Sequence, residues 1–362
     1  MTGDGSGNYP PMDESKLDES KTDEPKRDEP KNDEPRDSKL ASTGPASAPP
    51  SFVPSVVPDY GPVVPSPFEA RVQKIFMGPD GLRPVWRLAF YLLAFRVLRF
   101  CLHAFIYYAW PDTGVLWLQA AVELGLAIVA IVPALAMSRI EQRPFGHYGL
   151  PLRNAFGKLF WFGALWGFGS ITILLLALHG ANVFDFGGLA LHGVRVIKFA
   201  AFWAAFFLIV GFYEEFLTRG YTQFTLTQSV GFWPAAILLS AGFGALHLGN
   251  PGESWVGILG AVLIGFFFCL TLRRTGNLWF AIGFHTSWDW AESYFYSVPD
   301  SGGIAPGHLL HSSFHGSNWL TGGSVGPEGS VFIFVLLILL WVVFDQVYPE
   351  AKYPAKISDS GL

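Results

Sequence analysis

Glu214, Glu215 and Arg219 sit in Gly211-Phe-Tyr-Glu-Glu-Phe-Leu-Thr-Arg-Gly220, at the end of a run, 196–210, that is apolar apart from Lys198. Ionisable side chains in an apolar segment of membrane length are costly unless paired, so they read by default as a functional site. On a helix Glu215 and Arg219 are i,i+4 neighbours that form an ion pair. Glu214 is turned about 100° from Glu215 and about 140° from Arg219, and is left without a local partner. Such a carboxylate suits the role of general base. The plainer alternative is a helix end emerging into water with a solvated Glu/Arg pair.

Two later segments carry histidines in apolar surroundings. Ser240-Ala-Gly-Phe-Gly-Ala-Leu-His247 places Phe243 and His247 on one helix face, and His285-Thr-Ser-Trp-Asp289 does the same for an imidazole and a carboxylate. Singly, His247 reads as a hydrogen-bonded core histidine and Asp289 as a solvated carboxylate. As a set, Glu214, His247, His285 and Asp289 are the side chains of general-base catalysis and of zinc ligation, supplied by three separate segments. Either one divalent cation such as zinc or no cofactor at all is compatible with them. A competing metal set, His308-x2-His311-x3-His315, would align three imidazoles only on a helix, which its Gly/Ser-rich surroundings disfavour.

The elements that must position these groups are apolar. The chain has 362 residues, 51% hydrophobic, 16% aromatic and only 15% charged, the composition of a polytopic membrane protein. Eight apolar runs follow one another at 85–108, 115–137, 155–178, 196–226, 233–248, 255–272, 278–296 and 331–347. Most have the length of a spanning helix, so the fold class is all-α with about eight transmembrane helices. Ahead of them, residues 1–67 read as a disordered tail. Five Asp-Glu-Ser/Pro-Lys/Arg pentapeptides at 13–37 lead into a Pro/Ala/Ser/Val linker at 41–67 that has nothing to bury. The expected organisation is the tail 1–67, a helical membrane domain 68–350 whose motif-bearing core is 195–296, and a short cytoplasmic tail 351–362.

Arg71, Lys74, Arg83 and Arg87 precede the first span, and Arg139, Arg143, Arg153 and Lys158 follow the second. Arg273 and Arg274 follow the sixth, and Lys352 and Lys356 the eighth. The alternate gaps, 109–114, 179–192, 249–254 and 297–330, contain no lysine or arginine, which puts both termini in the cytoplasm. The polar start, Met1-Thr-Gly-Asp-Gly-Ser, is unlike a signal peptide, so targeting falls to the first span. Cys101 and Cys269 are isolated in apolar runs and are expected to stay reduced. With no basic patch, nucleic acid is excluded as a partner; the bilayer and a membrane-associated protein or peptide remain. At roughly 1.5 Å per residue, a fourth helix unbroken to Leu226 would hold Glu214 about 18 Å from the cytoplasmic end. His247 would lie about 20 Å in and His285 about 13 Å in, close enough for a shared level.

The order Glu-Glu-x3-Arg (Glu214, Glu215, Arg219), Phe-x3-His (Phe243, His247) and His-x3-Asp (His285, Asp289) resembles the CPBP intramembrane proteases. That group includes type II CAAX prenyl endopeptidases and bacteriocin-processing or immunity proteins. Gly220 after the arginine and Arg-Arg-Thr-Gly-Asn-Leu-Trp before the last motif fit as well, and the resemblance spans about 195–296. It implies an intramembrane endopeptidase in an integral membrane, the cell membrane in a bacterium. Glu214 and His247 would activate water, and His285 with Asp289 would stabilise the tetrahedral intermediate or bind a metal. Glu215 and Arg219 would be the supporting pair. Members that act on prenylated proteins usually carry asparagine where this chain has Asp289, and only a protonated aspartate donates a hydrogen bond. The contrasting reading is a non-catalytic scaffold, immunity protein or ion-coupled carrier using the same buried network.

Overall fold

The computed structural model describes residues 66–79, 81–110 and 115–353. The expected disordered tail, except its last two residues, and most of the C-terminal tail lie outside them. Eleven α-helices occur among the described residues: α1 (Pro67–Phe76), α2 (Pro84–Ala109), α3 (Leu116–Ile140), α4 (Lys158–Gly180), α5 (Val194–Arg219), α6 (Tyr221–Val230), α7 (Phe232–Leu246), α8 (Trp255–Thr275), α9 (Trp279–Trp290), α10 (Asn318–Thr321) and α11 (Phe332–Val347). The four strands are two residues long and form two antiparallel pairs, β1 (Met77–Gly78) with β2 (Gly81–Leu82) and β3 (Phe184–Asp185) with β4 (Ser313–Phe314). The fold is therefore the polytopic all-α class that the apolar runs predict.

Six segments are long and apolar enough to cross a membrane by length and composition, and α11 is a shorter apolar helix. The eight predicted runs all appear as helix. The seventh gives the 12-residue α9, extended by a π turn at Ala291–Phe295, and the eighth the 16-residue α11. The fourth run is not one straight helix: it breaks between α5 and α6 at Gly220, whose ψ is −115°. A Cβ there would lie 2.4 Å from the Phe216 carbonyl oxygen, so only glycine fits the corner. The premise of an unbroken helix to Leu226 thus fails. Apolar side chains such as Leu93, Phe105, Leu165 and Ile338 point outward and stay exposed, as lipid-facing positions do.

The helix that carries His285 and Asp289 is held in the middle of the protein. α9 packs between α4 and α5, and the packing depends on missing side chains. A Cβ on Gly163 would sit 2.1 Å from the Phe280 carbonyl oxygen, one on Gly167 2.2 Å from that of Phe284, and one on Gly283 2.0 Å from that of Phe160. Gly163-x3-Gly167 is the small-residue spacing that lets two membrane helices approach backbone to backbone. Around this contact Leu174, Phe267, Phe280, Phe284 and Leu337 form one core cluster, and Tyr91, Ala130, Phe216, Tyr221 and Leu272 belong to a second. Gly283→Ala is expected to destabilise the protein by about 1 to 3 kcal/mol or more, because α4 must move outward. Gly169→Ala, where nothing lies within 4 Å of the added carbon, should melt at or above the wild-type temperature. Equal melting of the two variants would show that the close approach does not matter.

The basic ends of the helices gather into shared networks. Arg87 on α2 binds Glu141 (2.8 Å) and Gln228 on α6 (2.5 Å), and Tyr221 donates to the other Glu141 oxygen at 2.5 Å. Arg273 at the end of α8 donates to the Tyr353 carbonyl and lies over the Phe232 ring. Phe232, Tyr353, Tyr221 and Tyr91 belong to one hydrophobic cluster, so these ends lie together.

Candidate active site

Glu214 and Glu215 leave the last turns of α5, His247 stands where α7 passes into a 3-10 turn, and His285 and Asp289 share one face of α9. Glu214, His247, His285 and Asp289 line a single cavity of about 450 Å³. The four predicted catalytic residues are therefore brought together, although the segments that supply them are far apart in sequence.

His285 is the hub. Its Nδ1 lies 3.0 Å from Glu215 Oε1, while its Nε2 is 3.4 Å from Asp289 Oδ2 and 3.8 Å from Glu214 Oε2. Since carboxylates only accept, Nδ1–H donates to Glu215, and Nε2 is presented to Glu214 and Asp289. The ring is stacked on Phe268, centroids 5.8 Å apart at 20°. His247 is oriented differently: its Nδ1 donates to the Phe243 carbonyl at 2.9 Å, which leaves the Nε2 lone pair free to accept. The Glu214 side chain, 30% exposed, is open to the cavity.

Glu215 and Arg219 form the predicted i,i+4 pair at 2.8 Å with both side chains almost fully buried. The pair does more than sequence spacing indicates. Glu215 Oε1 also receives His285, so one carboxylate joins the ion pair to the site. The guanidinium lies 4.5 Å from the Phe243 ring centroid and 5.5 Å from that of Phe268. Those two rings also touch His247 and His285, at 4.7 Å and 5.8 Å between centroids. Arg219 is thus the packing centre beneath both imidazoles.

Several cavity residues escaped the sequence reading: Glu123 on α3, Glu253 before α8, and Asp300 and Glu328 from the 297–330 loop. Glu123 did carry a signal, being the only charged side chain in the apolar run 115–137. The loop acids carried none, because solvated acids are the ordinary content of a loop. Burial, with Glu328 alongside, pushes the Asp300 carboxyl up to about 7, and burial raises Glu328 too.

The metal set read from the sequence, His247, His285, Asp289 and Glu214, does not close into a ligand cluster. His285 Nδ1 is committed to Glu215 and His247 Nδ1 to a backbone carbonyl. Among the described residues, the group of three whose ligand atoms lie within 4.8 Å of one another is instead Glu292, Asp300 and Glu328. In both histidines Nδ1 is held by a hydrogen bond and Nε2 is left to act, which suits water activation and zinc ligation alike. The loop histidines are not aligned either: His308 bonds to the Ala305 carbonyl, and His315 pairs with Asp185 at 2.9 Å, in a segment without helix.

Residues 196–291 match the family described as Type II CAAX prenyl endopeptidase Rce1-like. This match supports the CPBP/CAAX-protease resemblance over that segment. The segment runs from α5 to the end of α9 and contains all four cavity residues drawn from the motifs. Six apolar helices and this match together support an integral membrane protein, similar over this segment to intramembrane CAAX proteases. A comparison with curated proteins finds no match for the chain.

Proposed function

We propose that the protein hydrolyses a peptide bond in a membrane-associated protein or peptide, with Glu214 and His247 activating water and His285 and Asp289 facing the carbonyl. The observation that carries this reading is the single cavity lined by all four side chains at the end of membrane helices. Glu214 takes a proton from a water that His247 Nε2 helps to orient; the oxygen attacks the scissile carbonyl carbon, and the proton passes to the leaving nitrogen as the C–N bond breaks. The carbonyl oxygen gathers negative charge at the Nε2–H of His285, which stabilises it as the imidazolium, with Glu215 holding Nδ1–H and Asp289 flanking Nε2. Where the flanking apolar helix faces limit water, each of these interactions is strengthened.

Glu123, Gln119 and Phe206 are shared with a neighbouring cavity of about 400 Å³, lined by His103, Ile106 and Tyr107 of α2 and Leu118 of α3. This gives an apolar substrate segment a place beside the site. The gathering of the basic helix ends supports cytoplasmic termini and a membrane domain over 68–350.

The reading is tested by comparing peptides in membranes from wild-type, deletion and Glu214→Gln cells. A membrane-associated polypeptide should accumulate uncut in both altered strains. If the phenotype of the deletion is fully restored by the stable Glu214→Gln protein, and nothing accumulates, the chain is a scaffold or immunity protein instead.

A further inference from the structure

Beyond the motif residues, three carboxylates meet where the 297–330 loop folds back on the end of α9. Glu292 lies in the π turn after α9, Asp300 just beyond it and Glu328 near the end of the loop, with ligand oxygens within 4.8 Å of one another. Two of the three are partly satisfied. Glu328 accepts from the Trp288 indole N–H (3.1 Å) and the Ser301 hydroxyl (3.3 Å), and Asp300 accepts from the Ser293 hydroxyl (2.9 Å).

Glu292 is different. It is completely buried, and neither carboxylate oxygen meets a hydrogen-bond donor among the described residues. A buried carboxylate with two free oxygens, beside two further carboxylates, is stabilised by a proton or by a cation shared with them. Nothing basic touches it: the ion pairs of the described residues leave Glu292, Asp300 and Glu328 without arginine, lysine or histidine. The Pro299 carbonyl oxygen is in the same neighbourhood, since a Cβ on Gly326 would lie 2.0 Å from it and 3.3 Å from Glu292 Oε1.

We propose that Glu292, Asp300 and Glu328 bind a divalent cation, calcium above all, which fastens the 297–330 loop to the end of α9. The donors are all oxygen, with no thiolate or imidazole, so the site selects a hard cation over zinc. Ligands drawn from a turn and a loop give the irregular, adaptable geometry that calcium accepts and magnesium does not. Asp300 and Glu328 also line the active-site cavity, which supplies an access route and makes the cation a strut for one wall of it. The site stands whether or not the protein is a peptidase.

The test uses the full chain purified in detergent, stripped with a chelator and titrated with calcium, magnesium and zinc chlorides by calorimetry and thermal melting. Wild type should take up one calcium per chain and melt several degrees higher, with magnesium and zinc weaker. Glu292→Gln and the milder Asp300→Asn should each weaken calcium binding at least tenfold. In the stripped state Glu292→Gln should melt higher than wild type, because one of three crowded like charges is gone. The proposal is overturned by any of three results: no calcium uptake by wild type, zinc binding tighter than calcium, or calcium binding lost in His247→Ala but kept in Glu292→Gln.

Discussion

Glu214→Gln should lower turnover by about 100-fold or more while leaving the melting temperature unchanged. Glutamine keeps the size of the side chain and its hydrogen-bonding capacity but cannot take the proton of the attacking water. The substitution should be structurally mild, because Glu214 opens onto the cavity and lies 3.8 Å from its nearest ionic partner, His285. His247→Ala should cost a similar factor. The Glu214→Gln/His247→Ala pair should be little worse than either alone, since groups acting on one water are strongly non-additive. Single-turnover peptide hydrolysis in detergent or proteoliposomes reads all three. Independent, multiplicative losses would mean that the two residues act in different steps.

The second large effect is expected at the ion pair. Arg219→Ala leaves Glu215 buried with His285 as its only charged partner, and Glu215→Ala leaves a guanidinium between two phenyl rings with no carboxylate. Breaking a buried pair in this way costs about 3 to 5 kcal/mol. Both variants should express poorly and melt early, and the double variant should recover part of the loss, since no unpaired charge remains. Chemical denaturation of the four proteins in one detergent gives the coupling energy directly. The two positions should also differ from each other: Glu215→Ala releases His285 Nδ1 and so should weaken turnover even in protein that stays folded. Arg219→Ala keeps the Glu215–His285 hydrogen bond and should act on turnover less than Glu215→Ala, mainly through stability and the ring packing beneath the imidazoles. Wild-type stability in either single variant would remove the pair from the account of the fold.

These expectations bear on how chelators act. A metal-free Glu214/His247 pair predicts cavity chemistry that continues in a chelator at temperatures where the fold survives. A cation on Glu292, Asp300 and Glu328 would instead show itself as lower thermal stability.

The sequence by itself determined the helices, because membrane spans depend on a run of apolar residues and on backbone bonds made within each segment. It also determined the i,i+4 facing of Glu215 with Arg219 and His285 with Asp289, because helix geometry fixes which side chains share a face. Only the tertiary structure decided what those faces meet. Glu215 proved to serve Arg219 and His285 together, since α9 lies close to α5 at Gly211, where a Cβ would sit 3.2 Å from the Thr286 backbone nitrogen. Gly220 turned the chain within one predicted run, because the corner needs space for backbone, a local need that the run's apolar content does not show. Asp300 and Glu328 joined the cavity from a segment whose composition marks only a solvated loop, whereas Glu123 stood out as the lone charge of its apolar run. Spacing along one helix is local geometry; distance between helices is set by packing, and packing is written in pairs of segments that no single stretch of sequence contains.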